Sequence, residues 1–379
     1  MTYDAAIVGG GPSGLICAAE LEKLGENIVV IEKDKKIGEP VECAGLFNID
    51  GLKRLEIPKG DYVLNEVMGA HFISPSGAVA EIMGKESKAY VVDRGEFDRF
   101  LASGYDGELQ LGRDVKSARR KGDKYEVSFD GGQIEAKSLI LATGYAQGLH
   151  ASVGLKGPSR FISTSQYEIE GVETDPRFVE IYLGSVAPGF FAWLIPVDEK
   201  KSRVGLGVLD AKESTHHYMS AFLKRLKGEK RFKPKNKVVH KSGGLIPLFE
   251  PDLAVTSDGA YLVGDAAGQV KATTGGGVMM GGLAAKALAR AIHEGGGYDA
   301  LLTDVNTELK NHLFIRRMLS KFGDEQYGHM MEFLNKPDVK KAVEEKGDMD
   351  FIGPIMKEVM SNPLLMMQAM KFMGKGLLF

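Results

Sequence analysis

The chain has 379 residues, 44% hydrophobic and 26% charged, with a formal net charge of −3 and 48 glycines, nearly twice the usual ~7%. These proportions exclude a disordered chain and argue against a general polyanion or nucleic-acid binder. Two cysteines, Cys17 and Cys43, exclude a disulfide scaffold, and no Cys-x2-Cys or His-x3-His spacing offers a structural metal site.

In chain order, residues 5–8 are a short apolar run and read as a buried strand. Gly9-Gly10-Gly11-Pro12-Ser13-Gly14 is a turn, residues 15–24 read as a helix that Gly25 ends, and residues 28–31 as a second buried strand ending in Glu32. Residues 60–90 read as short strands with Ser, Pro and Gly turns. Asp93 opens a helix, with Glu96 as its capping-box partner. Residues 113–141 read as a meander closing on the apolar strand 138–141, and residues 161–210 alternate like antiparallel strands. His216-His217 reads as a loop pair before a helix, and the lysine-rich stretch 224–241 as a solvated face or a dock for an acidic electron carrier. Residues 261–263 form another short buried strand, again followed by glycines and a helix. From about 300 onward the pattern is helical, and ten of the sixteen methionines lie at or after Met318. No run reaches the ~18–20 apolar residues that span a bilayer, and the start shows no leader pattern. A cytoplasmic protein is expected, with peripheral contact at a membrane surface left open.

This order predicts an α/β fold: a discontinuous Rossmann-like domain (residues 1–60, 90–160 and 255–300), an inserted antiparallel β-sheet substrate domain (61–89 and 161–254), and a helical C-terminal region (301–379). In Gly9-x-Gly11-x-x-Gly14, Gly9 permits the tight turn, Gly11 lets backbone approach a pyrophosphate, and Gly14 lets the helix pack against the strand. The helix N-terminus offers free N–H groups and partial positive charge to phosphates. Glu32, at the end of the second strand, is placed to accept hydrogen bonds from ribose hydroxyls. A dinucleotide site is expected here.

Strand 261–263 followed by Gly264-Asp265-Ala266-Ala267-Gly268, paired with the N-terminal glycine motif, resembles the FAD-binding fold of the aromatic hydroxylase and geranylgeranyl reductase class. The resemblance implies FAD, with Asp265 on the ribitol chain and Gly275-Gly276-Gly277-Val278 facing the isoalloxazine. Asp93-Arg94-x-x-Phe97-Asp98-x-x-Leu101 also matches the class, which places the arginine near the cofactor. The implied FAD contacts are Gly9, Gly11, Ser13, Gly14, Glu32, Lys33, Arg94, Ala142, Gly144, Gly264, Asp265, Gly275, Gly276, Gly277 and Val278, joined by Cys43 and Ala44. Thr143 stands where flavin hydroxylases carry an acidic residue, and no second GxGxxG occurs. A dedicated nicotinamide site is therefore not expected, and electrons come from NAD(P)H docking transiently or from a carrier such as ferredoxin.

Within that class, three segments resemble the geranylgeranyl reductase family. Residues 271–278 are similar to its glycine-rich segment before a long helix. Pro188-x-x-Phe191-x-Trp193-x-Ile195-Pro196 is similar to its substrate-cavity motif P-x-x-Y-x-W-x-F-P, with Phe for Tyr and Ile for Phe. Gly38-Glu39-Pro40-Val41-Glu42-Cys43-Ala44-Gly45 resembles a cysteine loop that the family places near the flavin, with Ala44 where Gly is usual. The resemblance covers about residues 1–300. It implies reduction of isoprenoid C=C bonds in geranylgeranyl groups of archaeal-type membrane-lipid precursors, by hydride from flavin N5 plus protonation. Cys43, or a water held by its loop, is the candidate catalytic proton donor, and Phe191, Trp193 and Ile195 the substrate wall. Cys17 is read as buried filler. The apolar segment 363–373, with Lys371 and Lys375 beside it, is core, partner interface or membrane-surface anchor. The alternative is a flavin-dependent monooxygenase or halogenase using oxygen, since 191–196 matches the halogenase motif W-x-W-x-I-P except at its first Trp. A prenyl carrier without redox chemistry would have no use for the flavin segments.

Overall fold

The computed structural model describes residues 2–377, with side chains as far as Phe372. The chain folds as two bodies. The first comprises Met1–Val41, Arg94–Phe161 and Ile246–Leu313. Its sheet sets the strands Ala260–Leu262, Gly132–Leu141, Thr2–Val8, Ile28–Glu32 and Glu108–Leu111 side by side and parallel, with Thr256–Ser257 antiparallel at one edge. Ala5, Ala6, Ile7, Val29, Val30, Leu139 and Ile140 are wholly buried. That is why these strands read as continuous apolar runs: parallel strands have both faces covered. The expected meander is present, with Val115–Lys121 and Lys124–Phe129 pairing antiparallel onto Gly132–Leu141. The first helix is Pro12–Lys23, three residues earlier than its apolar pattern begins, because proline's fixed φ suits the first helical position.

The second body comprises Glu42–Asp93, Ile162–Leu245 and Phe314–Phe379. The sequence boundaries drew 42–60 with the nucleotide-binding region and 301–379 as a region of its own; by packing, 42–60 and 314–379 group with the inserted sheet. Along that sheet the strands run Phe232–Ser242, Phe161–Val172, Lys201–Val208, Ala192–Pro196, Phe178–Tyr182, Gly69–Ile73 and Val79–Met83. The pairings are antiparallel except Phe178–Tyr182 with Gly69–Ile73. Side chains alternate across the pleat. Tyr167, Ile169, Leu194, Val204 and Leu206 therefore share one face, where they pack with Met219, Phe222 and Leu226 of the helix Thr215–Gly228. Gln166, Glu168, Trp193, Ile195, Arg203 and Gly205 occupy the other face. The edge strand Phe232–Ser242 is exposed from residue 233 to 241.

His216 and His217 lie in the first turn of the helix Thr215–Gly228, not in a loop: Ser214 Oγ accepts a hydrogen bond from the His217 N–H and moves the start forward. The tail is helical as expected, and Tyr327 and Met331 of the helix Asp324–Leu334 pack with Ala80 and Leu183. Among the described residues no helix is long and apolar enough to cross a membrane.

Phe222 is wholly buried and meets Tyr182 edge-on at 5.0 Å. Truncating it leaves a cavity in the helix–sheet core, so Phe222→Ala should lose ~3–5 kcal/mol of unfolding free energy. Urea denaturation followed by far-UV circular dichroism checks this, and a loss under 1 kcal/mol would contradict the packing.

Candidate functional site: a nucleotide cradle and a cysteine loop

The glycine motif is enforced by close approach. Gly9 has φ +113°, and a Cβ there would collide with the Ala142 carbonyl. A Cβ at Gly14 would collide with the Gly9 carbonyl. Gly11 differs: a Cβ there would meet nothing within 4 Å. Protein packing does not require its small size, so the open space beside it suits a ligand. No side chain caps the helix Pro12–Lys23, so its first-turn N–H groups are open to an anion. Glu32 Oε2 accepts from the Gly10 N–H at 2.6 Å and Oε1 from the Asp34 N–H at 2.8 Å, which fixes the carboxylate at the strand end. Lys33, beside it, is exposed.

Ser13 joins this turn to the second glycine-rich segment. A Cβ on Gly264 or on Gly281 would lie 2.5 Å from Ser13 Oγ, so both glycines make room for that hydroxyl. The neighbouring Asp265 is half-buried. No described residue hydrogen-bonds its carboxylate. Burial pushes this carboxyl up to about 6, opposed by the positive charge of Arg94. Arg94 itself forks onto Asp98, Nε to Oδ1 at 3.0 Å and Nη2 to Oδ2 at 2.8 Å. A Cβ on Gly277 would lie 2.6 Å from Asp265 Oδ1, and one on Gly276 would lie 3.0 Å from Lys271 Nζ. Gly275 turns with φ +73°. Val278 opens the helix Val278–Glu294, whose N-terminus also lacks a side-chain cap. Gly144 has φ +62° and open space where a side chain would be. Two uncapped helix N-termini, a partnerless half-buried carboxylate and open glycine surface make a donor set suited to a diphosphate and a polyhydroxyl chain.

The remaining expected residues lie in the second body. Trp193, Gly205 and Gln166 are in register across three strands, as are Ile195, Arg203 and Glu168 two residues along. Trp193 and Ile195 are buried. The Trp193 ring rests where a Cβ on Gly205 would be, and its Nε1–H donates to Gln166 Oε1 at 2.9 Å. Phe191 is half-buried, stacked on Phe190 at 4.1 Å and edge-on to Trp193 at 5.9 Å. Cys43 is half-buried, and its Sγ accepts from the Gly45 N–H at 3.4 Å. Gln166 Nε2 donates to the Cys43 carbonyl at 3.3 Å, and Arg203 Nη1 donates to the Ala44 carbonyl at 2.9 Å. Cys17 is wholly buried, and burial pushes its thiol up, so it is inert packing. Sequence reasoning passed over Gln166, Arg203 and Glu168. The available signal was polar residues at every second position of otherwise apolar strands.

Over 372 residues the chain is 32% identical to a digeranylgeranylglycerophospholipid reductase from Methanocaldococcus jannaschii, an alignment covering 90% of this chain and 94% of that one. The chain belongs to the digeranylgeranylglycerophospholipid reductase family. Within this family member, the geranylgeranyl reductase catalytic domain matches residues 161–246, and an NAD(P)-binding Rossmann-like domain matches residues 7–43. Among solved structures it is similar to a geranylgeranyl bacteriochlorophyll reductase-like protein from Thermoplasma acidophilum (TM-score 0.80, 23% identity, 98% of this chain and 99% of that one). The halogenase PltM, solved in complex with FAD, shares the fold at TM-score 0.67 and 14% identity, covering 91% of this chain and 84% of that one. The fold is thus that of flavoproteins, and the reductase-family member is a redox enzyme.

Asp265 gives this family member a pH signature. Its folded pKa, about 6, lies above the ordinary 3.8, so the folded chain holds the proton more tightly than the unfolded chain. Stability therefore falls as pH rises from about 4 to 6 and is level above that. Asp265→Asn removes the cost: the cofactor-free variant should exceed the parent by only ~1 kcal/mol near pH 4.5 and by up to ~3 kcal/mol at pH 8. Urea unfolding at the two pH values checks this; equal stability at pH 8 would contradict it.

Proposed function

We propose that the protein is an FAD-dependent reductase that saturates isoprenoid C=C bonds, acting on geranylgeranyl groups of membrane-lipid precursors. The observation that carries this reading is the Cys43 loop tied to the strand bearing Trp193, within a family whose named relative reduces digeranylgeranylglycerophospholipid. The first body would hold FAD: the N–H groups after Gly11 take its diphosphate, Glu32 a ribose and Asp265 the ribitol. Gly275, Gly276, Gly277 and Val278 would present N–H groups and a helix dipole to its ring. When bound, FAD supplies the hydride for each reduction.

An isolated alkene has no carbonyl to receive negative charge, so hydride addition must be joined to protonation of the other carbon. Cys43 gives the proton in this reading. Its S–H bond breaks, a C–H bond forms at the less substituted carbon, and positive charge gathers at the tertiary carbon until hydride arrives. The Gly45 N–H supports the thiolate left behind, which water reprotonates. The electron-rich faces of Trp193 and Phe191 favour the transient positive charge. Electrons enter from NAD(P)H or a reduced ferredoxin.

Each buried CH₂ of a prenyl chain gains about 0.8 kcal/mol, so such a substrate stays in or near lipid until it is bound. The helix Pro363–Leu377 exposes Leu364, Met366, Met367 and Met370, with Met360 before it, while Leu365 is buried. No acidic residue follows Glu358 in the sequence. We assign this cationic apolar face peripheral contact with the membrane surface. The side chains of Met373 and Lys375, expected to share in it, lie outside the described residues. Replacing Met366, Met367 and Met370 together by Gln should abolish co-sedimentation with anionic phospholipid vesicles and leave flavin content unchanged; undiminished binding would refute the assignment.

The reading is tested without oxygen. FAD-loaded protein reduced with dithionite and given a geranylgeranylated glycerophospholipid should yield products heavier in steps of two hydrogens by mass spectrometry. Cys43→Ala should lower kcat by ~10²-fold or more with KM little changed, the usual loss of a general acid. Conversion that occurs only in air would overturn the proposal and favour an oxygen-using flavoenzyme.

A further inference from the structure

We infer that Gln166 is a positioning residue that couples the Trp193 wall to the Cys43 loop, with Arg203 clamping the same loop one register step away. The inference rests on the role proposed above for Cys43.

Gln166 is buried, and both ends of its amide are in use: Oε1 accepts from the Trp193 indole N–H at 2.9 Å and Nε2 donates to the Cys43 carbonyl at 3.3 Å. An indole can only donate and a carbonyl can only accept, so one amide orientation satisfies both. The geometry depends on a glycine. Gly205 lies between Trp193 and Gln166 in register, and a side chain there would displace the indole. Two residues along, Arg203 Nη1 donates to the Ala44 and Val92 carbonyls, each at 2.9 Å, while its Nε donates to Glu168 Oε1 at 2.9 Å. Gly45 has φ +65°, and a Cβ there would strike the Arg203 guanidinium. Two successive carbonyls of the Cys43-Ala44-Gly45 turn are thus held by side chains of two adjacent cross-strand rows. The loop takes its position from the sheet, and a displacement of Trp193 reaches Cys43 through one amide.

The sole tryptophan makes this measurable. Iodoacetamide should modify only Cys43 in native protein, since Cys17 is wholly buried. With FAD bound and ¹⁵N-labelled tryptophan, the single indole N–H resonance should shift when Cys43 is alkylated. In Gln166→Leu that resonance should start from a different position and ignore alkylation, the alkylation rate should rise roughly fivefold, and kcat should fall with KM held. At pH 8, with its carboxylate ionised, Gln166→Glu keeps an acceptor for the indole but has no donor for the Cys43 carbonyl. It should keep the indole resonance near the parent position while alkylating as Gln166→Leu does, a split that a merely structural role would not give. If Gln166→Leu does not fold, Gln166→Glu and the parent protein still decide. An indole resonance blind to alkylation in the parent, or an unchanged alkylation rate in Gln166→Glu, overturns the inference. The resonance and alkylation measurements need no prenyl turnover. A coupled but inactive protein would sink the proposed reaction alone, and an active but uncoupled one this inference alone.

Discussion

The first body depends on backbone passing backbone closer than any side chain allows. Gly9 against the Ala142 carbonyl and Gly14 against the Gly9 carbonyl are two such contacts of one crossing, which the Ser13 hydroxyl extends by fitting against Gly264 and Gly281. That crossing holds two uncapped helix N-termini and the end of a third strand together. Adding one methyl group at Gly9, Gly14 or Gly264 would push apart the elements that form the cradle. The candidate binding residues are thus also packing requirements, and Gly11 is the informative exception, since its missing side chain leaves room that the protein does not fill.

Much of this was legible in the sequence because the physics is local. Continuous apolar runs beside glycines give parallel strands, and proline after glycines starts a helix. Glu32 falls at the strand end by simple counting. The cofactor assignment came from resemblance, because Asp265 in isolation is indistinguishable from a helix cap. The illegible part was long-range. Nothing within residues 42–60 announces that they group with strands more than a hundred residues further along the chain. Gln166 and Arg203 meet the Cys43 loop only through tertiary folding, across separations of 123 and 159 positions. His216-His217 was misplaced by a single hydroxyl, Ser214 capping one turn earlier than composition suggested.

The two groups of site residues are prepared in opposite ways. Asp265 is left without a hydrogen-bond partner among the described residues, in a setting that disfavours its charge, a cost that a hydroxyl-bearing ligand would relieve. Gln166, Arg203 and Glu168 are satisfied within the protein, so the turn they hold is ordered without any ligand. A nucleotide cradle that relieves strain on binding favours retention of its occupant. A pre-set loop needs no reordering before it is used.

The outermost strand, Phe232–Ser242, has a consequence for how copies of this protein coexist. An eleven-residue strand with one unpaired edge is a template for a second sheet. Here it carries Lys233, Lys235, Lys237 and Lys241, a proline at 234, and register irregularities against Phe161–Val172. Two such edges brought together would align like charges at alternate positions and meet a missing N–H. The sheet can therefore end in solvent at high protein concentration without zipping onto its own kind.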